Sequence, residues 1–150
     1  VMVNLGRVYL AEDKVGQAIE VAEQAVEINK KVDDGYNVLG RAYREDGKIE
    51  KAITNFEKAV ELNNKNYYAL NNLGYAYIQT GQYKDAIPVL KKAATLKPEV
   101  PYLYNNLGIA YENSGKLKKA KEAYKEALTV DSNYQKAKAN LERVKRLLEE

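Results

Sequence analysis

The chain contains no cysteine and no histidine. Their absence excludes disulfides, thiolate nucleophiles, imidazole acid/base chemistry and the usual zinc sites. A cysteine-free composition is compatible with every compartment, so it assigns none. No apolar run approaches the roughly 18 residues that a membrane helix needs, and no signal-peptide pattern opens the chain. Charge of one sign is missing too. The 24 basic and 21 acidic residues leave a net charge of +3, too mild to argue for nucleic acid or an acidic membrane. Tryptophan is absent and phenylalanine occurs once, whereas tyrosine occurs 13 times. Tyrosine joins a large apolar body to a hydroxyl that needs water or a partner, which suits the edge of a packed interface.

What is present is repetition. Tyr104-Asn105-Asn106-Leu107-Gly108-Ile109-Ala110-Tyr111 has counterparts at Leu70–Tyr77 and Tyr36–Tyr43, each displaced by 34 residues, and a worn copy at Asn4–Tyr9. A period of this size marks stacked units, each too small to bury its own apolar face. Apolar spacings of three and four predict helices at about 1–12, 16–29, 35–46, 49–63, 67–80, 83–97, 102–114, 117–131 and 134–149. Gly47, Gly81 and Gly115 fall in the turns, with Asp13 at the matching place in the first unit. Asp33 or Asp34 is the expected N-cap of the third helix. Pro88 lies inside the sixth, where its missing amide predicts a bend or a late start. In the last helix Glu142 and Lys145 stand where other units carry Gly and Tyr, as expected of a solvating cap. The first unit lacks its opening residues and the chain starts at Val1, as expected of a piece of a longer protein.

Together these positions resemble the tetratricopeptide repeat, a 34-residue helix-turn-helix unit. Its pattern is a large residue, Leu-Gly, Tyr, Ala, an aromatic or large apolar residue, Ala and Pro. The second unit supplies Tyr36, Leu39, Gly40, Tyr43, Ala52, Phe56 and Ala59. The third supplies Leu70, Leu73, Gly74, Tyr77, Ala86, Leu90, Ala93 and Pro98, and the fourth Tyr104, Leu107, Gly108, Tyr111, Ala120, Tyr124 and Ala127. The first keeps Leu5, Gly6, Tyr9, Ala18 and Ala25, with Ala22 small where bulk is usual. The resemblance implies an all-α fold, a right-handed α-solenoid of stacked antiparallel helix pairs. Its units would be residues 1–32, 33–66, 67–100 and 101–134 of a single domain, closed by a capping helix over 135–150.

Catalytic chemistry finds little support. Glu20, Glu23, Glu27, Glu57 and Glu61 fall on polar helix faces, where solvation or pairing with Lys accounts for them. No phosphate-binding glycine motif occurs, and no enzyme activity, cofactor or metal is implied. Proteins of the family typically bind an extended or helical peptide in a concave groove lined by the first helix of each unit. By that analogy the second unit contributes Asp34, Asn37, Val38, Arg41 and Arg44, and the third Tyr68, Asn71, Asn72, Tyr75 and Gln79. The fourth contributes Tyr102, Asn105, Asn106, Ile109 and Asn113, and the cap Lys136, Asn140 and Arg143.

One column runs through Asn4, Val38, Asn72, Asn106 and Asn140. An Asn side chain both donates and accepts, so such a ladder either pairs with a peptide backbone or is satisfied by the neighbouring repeat. A subset of the family holds chaperone C-termini in a Lys, Asn, Asn, Lys, Arg clamp. Here those places hold Asn37, Arg41, Asn72, Tyr102 and Asn106, or, one unit along, Asn71, Tyr75, Asn106, Lys136 and Asn140, so that binding mode is not expected. Arg7, Arg41, Arg44, Lys136 and Arg143 either suit an acidic protein partner, since Arg pairs carboxylates well, or serve solubility. The leading expectation is a non-enzymatic protein-protein interaction scaffold. The alternatives are a self-association module, and a docking or regulatory arm of an enzyme whose catalytic domain lies outside these residues. Tyr68, Tyr75 and Tyr102 could stack nucleic-acid bases, but the basic surface that backbone binding needs is thin.

Overall fold

The computed structural model describes residues 1–150. It contains nine helices and no strand: α1 (Met2–Ala11), α2 (Val15–Ile28), α3 (Asp33–Glu45), α4 (Ile49–Leu62), α5 (Tyr67–Gln79), α6 (Tyr83–Leu96), α7 (Pro101–Asn113), α8 (Leu117–Val130) and α9 (Gln135–Glu149). Two compact units emerge, Val1–Ala76 and Tyr77–Glu150, and the division falls within α5. No helix is long and apolar enough to cross a membrane.

In the first unit α1 packs on α2 and α3, α2 on α3, and α3 on α4. Small residues set these approaches: Ala18 and Ala22 of α2 and Ala52 and Ala59 of α4 are fully buried, with Phe56 filling the space beside them. A Cβ placed on Gly40 would lie 2.6 Å from the Phe56 ring, so the ring occupies the room that glycine leaves. The worn first repeat solves the same problem differently. Ala22 supplies no bulk, and the atom nearest a Cβ on Gly6 is Cγ1 of the buried Val38, 2.9 Å away. Val38 interrupts the Asn column because a following helix here fills the gap that an aromatic fills elsewhere.

In the second unit α6 packs on α7, α7 on α8, and α8 on α9. Leu90, Leu107, Tyr111, Tyr124, Leu141 and Val144 share its core. The Gly108–Tyr124 contact repeats the Gly40–Phe56 arrangement, with a Cβ on Gly108 falling 2.6 Å from Tyr124 Cδ1. On α9, Ala137, Leu141 and Val144 face inward. Glu142 and Lys145, at the Gly and Tyr positions, form an ion pair of 2.9 Å at the surface.

Two expectations are corrected. Asp33 and Asp34 do not cap α3: the helix begins at Asp33, and Val32 precedes it with no side-chain cap. The Asp33 carboxylate instead accepts from Asn63 Nδ2 (3.0 Å) and Asn66 Nδ2 (2.8 Å), tying the next connection to the start of α3. A negative charge there still suits the helix dipole. The side-chain cap appears one repeat later, where Asn66 Oδ1 accepts from the amide of Ala69. Of the two outcomes expected at Pro88, the late start does not occur: α6 begins at Tyr83 and runs through it to Leu96. It lies near the start of the helix, so its missing amide withholds a single bond, the one to the Lys84 carbonyl.

The turn after α1 carries a testable strain. Asp13 has φ +59, in the left-handed region where the other turns place Gly47, Gly81 and Gly115. Asp13→Gly is expected to stabilise the chain by about 0.5–1 kcal/mol, the relief of that strain less the extra unfolded-state freedom of glycine. Thermal unfolding reads this as a midpoint raised by a few degrees at most.

Candidate functional site

On the first unit, the expected binding residues come from α3 and α5. Hydrophobic neighbours fix the orientation of α3: Val38, Leu39, Ala42 and Tyr43 are buried, leaving Arg41 and Arg44, one turn apart, half-buried on the remaining face. Tyr68 is 55% exposed and Tyr75 38% exposed on α5. The Tyr67 and Tyr68 rings lie 4.1 Å apart, and the Arg44 guanidinium sits 5.8 Å from the centre of the Tyr75 ring, a cation–π contact. Burial lowers the Arg44 guanidinium below its ordinary pKa, Glu45 opposes that shift, and Arg41 adds to it.

The Asn column is engaged inside the chain. Asn72 donates through Nδ2 to Asn37 Oδ1 at 2.9 Å, with Asn37 buried. Asn140 donates in the same way to the buried Asn105, also at 2.9 Å. Asn4 accepts from Arg7. Asn37, Val38 and Asn105 therefore lie beneath the surface, with the two asparagines holding one repeat's first helix to the next. Asn72 and Asn140 stay half-buried above them. Asn71, Tyr102, Asn106 and Ile109 are also half-buried, whereas Asn113 and Lys136 are exposed.

The expected basic residues divide sharply. Arg7 pairs with Asp34 at 3.1 Å. Arg143 makes a bidentate contact to Glu112, with both bonds at 2.8 Å, and the Tyr124 hydroxyl donates to the same carboxylate at 2.7 Å. This network ties α9 to α7 and α8. In the first unit the Tyr43 hydroxyl donates to Glu23, which raises Tyr43 to about 12. Nothing in the sequence motif marked Glu112 or Glu23. Their signal is only that each lies within reach of a Tyr hydroxyl once the helices pack.

Burial pushes the Glu112 carboxyl up, but hydrogen bonds from Arg143 and Tyr124, with the charge of Arg143, hold it below its ordinary 4.5. A carboxyl with a depressed folded pKa contributes stability above its unfolded value and loses it as pH falls through the folded value. Acidification below about 4.5 should therefore destabilise the chain, and Glu112→Gln should flatten that part of the profile while lowering stability at neutral pH. Urea unfolding across pH 3–7 measures both effects, and an unchanged slope would separate Glu112 from the acid limb.

A different surface also offers a cavity. Tyr104, Leu107, Tyr111, Lys119, Glu122 and Ala123 line a hollow of about 380 Å³ on α7 and α8. It places repeat-packing residues beside charges of the second helix.

Helix pairs joined by short turns, with glycine and alanine at their contacts and a 34-residue period, define a helical-repeat protein. The chain belongs to the tetratricopeptide repeat family, whose sequence models match residues 1–32, 40–81, 74–115 and 101–134. Its fold is similar to that of MamA from strain MSR-1, with a TM-score of 0.84 and 22% identity over 98% of this chain and 84% of that one. It is also similar to PilF of Pseudomonas aeruginosa, with a TM-score of 0.88 and 25% identity over 95% of this chain and 65% of that one. A thermophilic repeat protein of Thermus thermophilus aligns with a TM-score of 0.78 and 23% identity, covering 95% and 79% of the two chains. Among curated proteins no match is found. The family and the fold together place the chain among protein-interaction scaffolds.

Proposed function

We propose that this chain is a non-enzymatic scaffold whose first helices bind an extended or helical segment of a partner protein. The observation that carries the reading is the patch on α3 and α5. There Tyr68 and Tyr75 are exposed, the Tyr75 ring meets the half-buried Arg44 with Arg41 one turn away, and Asn72 keeps amide capacity beyond its bond to Asn37. Exposed tyrosines with arginine are the side chains that dominate protein–protein hot spots. Tyr102, Asn106, Ile109, Lys136 and Asn140 form the corresponding set on α7 and α9, while Asn37 and Asn105 support the two sets from below. Pull-down followed by peptide-array mapping identifies the bound segment. Tyr68→Ala with Tyr75→Ala, at two exposed positions, should then weaken it at least about tenfold with the fold intact. Undiminished binding would sink the reading and redirect attention to the cavity on α7 and α8.

One observation favours self-association as a second reading. Leu5 is 38% exposed, whereas its equivalents Leu39 and Leu107 are buried, and Met2, Val8 and Ile28 are exposed with it. A second copy could cover this apolar face. Light scattering that gives the monomer mass at every concentration would remove this possibility.

A further inference from the structure

We infer that Arg41 and Arg44, the latter against the Tyr75 ring, form a carboxylate subsite that takes an Asp or Glu side chain of the partner segment. This rests on the binding face proposed above and specifies its chemistry. The arginines of the chain differ in their partners. Arg7 has Asp34 at 3.1 Å, and Arg143 has both oxygens of Glu112 at 2.8 Å. Arg41 makes no hydrogen bond or ion pair within the chain. The carboxylate oxygen paired with Arg44 belongs to the adjacent Glu45, at 4.0 Å, too long for a hydrogen bond. Yet the Arg44 side chain is only 21% exposed. Its guanidinium is partly withdrawn from water without gaining a close carboxylate, and a neighbouring cation one turn away adds repulsion.

An incoming carboxylate relieves both conditions. It accepts charge-assisted hydrogen bonds from the planar forks and neutralises the repulsion between them. The Tyr75 ring, 5.8 Å from the Arg44 guanidinium, steadies it by a cation–π contact. Tyr68, the most exposed aromatic of α5, offers an apolar platform for a neighbouring residue of the segment. Phosphate shares the affinity of guanidinium for oxyanions, but the pair lies in the last two turns of α3, at the negative end of the helix dipole. A monoanionic carboxylate suits that setting better than a dianion.

The test starts from a displayed library of random dodecapeptides selected on the whole chain, with the best peptide remade in Glu, Gln and phosphoserine forms at its acidic position. Fluorescence anisotropy should show the Glu form binding at least about tenfold more tightly than the Gln form. The two forms should bind Arg41→Gln/Arg44→Gln equally. Lys91→Gln/Lys92→Gln, which removes the same charge from exposed positions on α6, should keep the preference. The inference is overturned if Glu and Gln forms bind wild type alike, if the preference survives in the arginine variant, or if phosphoserine binds more tightly than Glu. Peptides that respond to Tyr68→Ala/Tyr75→Ala but ignore the Glu-to-Gln change overturn the subsite alone. A selection that yields no peptide overturns the wider binding reading with it.

Discussion

Phe56→Ala is expected to cost about 3–5 kcal/mol, a large part of the stability of a chain this size. Phe56 has no solvent exposure, and its ring lies against Gly40, whose missing side chain leaves the ring its place. Truncation removes the apolar area and leaves a cavity that the backbones of α3 and α4 cannot close, because Ala52 and Ala59 already hold those helices close together. Repeat arrays are stabilised by nearest-neighbour contacts, so the loss should be local before it is global. Chemical denaturation should show the reduced midpoint, and hydrogen exchange should show amides of α3 and α4 losing protection first. A cost below about 1 kcal/mol would mean that the Gly40–Phe56 contact does not hold the pair together.

The second large effect comes from the opposite change. Gly108→Val places side-chain carbon where Tyr124 Cδ1 would stand 2.6 Å away and Cζ 2.9 Å away. Tyr124 cannot swing aside, being fully buried and bonded through its hydroxyl to Glu112. The expected destabilisation is about 3 kcal/mol or more, at the upper end for overpacking. The sign is informative, because replacing glycine inside a helix ordinarily gains about 1 kcal/mol in the case of alanine. Gly16 provides the control: nothing lies within 4 Å of its added Cβ, so Gly16→Ala should stabilise while Gly108→Ala destabilises. Tyr124→Leu should relieve part of the Gly108→Ala penalty, giving a coupling of about 1 kcal/mol or more in a double-mutant cycle. Additive effects would show that the two residues do not meet.

These contacts were legible in the sequence because packing in a repeat has a short vocabulary. Gly40, Ala52 and Phe56, or Gly108, Ala120 and Tyr124, recur at fixed spacings, and the nine helices begin and end within about two residues of the positions that apolar spacing indicated. What the spacing did not contain was the use made of each polar side chain. Asp33 and Asn66 both have N-cap chemistry, yet Asp33 accepts from two asparagines of the following connection, and only Asn66 caps a helix. Asn37 and Asn72 sit on faces that look equally open in projection. Packing of successive first helices buries Asn37 and turns Asn72 onto it. Likewise Arg7, Arg41, Arg44 and Arg143 form one class by residue type and two classes by partner. Which class each joins depends on whether a carboxylate of the adjacent repeat comes within hydrogen-bonding distance, and Glu112 shows that even a side chain outside the repeat pattern can decide it.

The same division sharpens the functional reading. Residues such as Arg143 and Asn105 are committed to joining repeats, so changing them should act on stability first. Arg41, Arg44, Tyr68 and Tyr75 hold little of the repeat framework together. Effects on binding without loss of fold are expected there.

The most direct test is to titrate the bound peptide into isotope-labelled protein and follow amide chemical shifts residue by residue. The largest changes should fall on the first helices, with Arg41, Arg44, Tyr68, Asn72 and Tyr75 at their centre and α4, α6 and α8 little affected. Shifts confined to those second helices, or to the hollow beside Lys119 and Glu122, would contradict binding on the first-helix face.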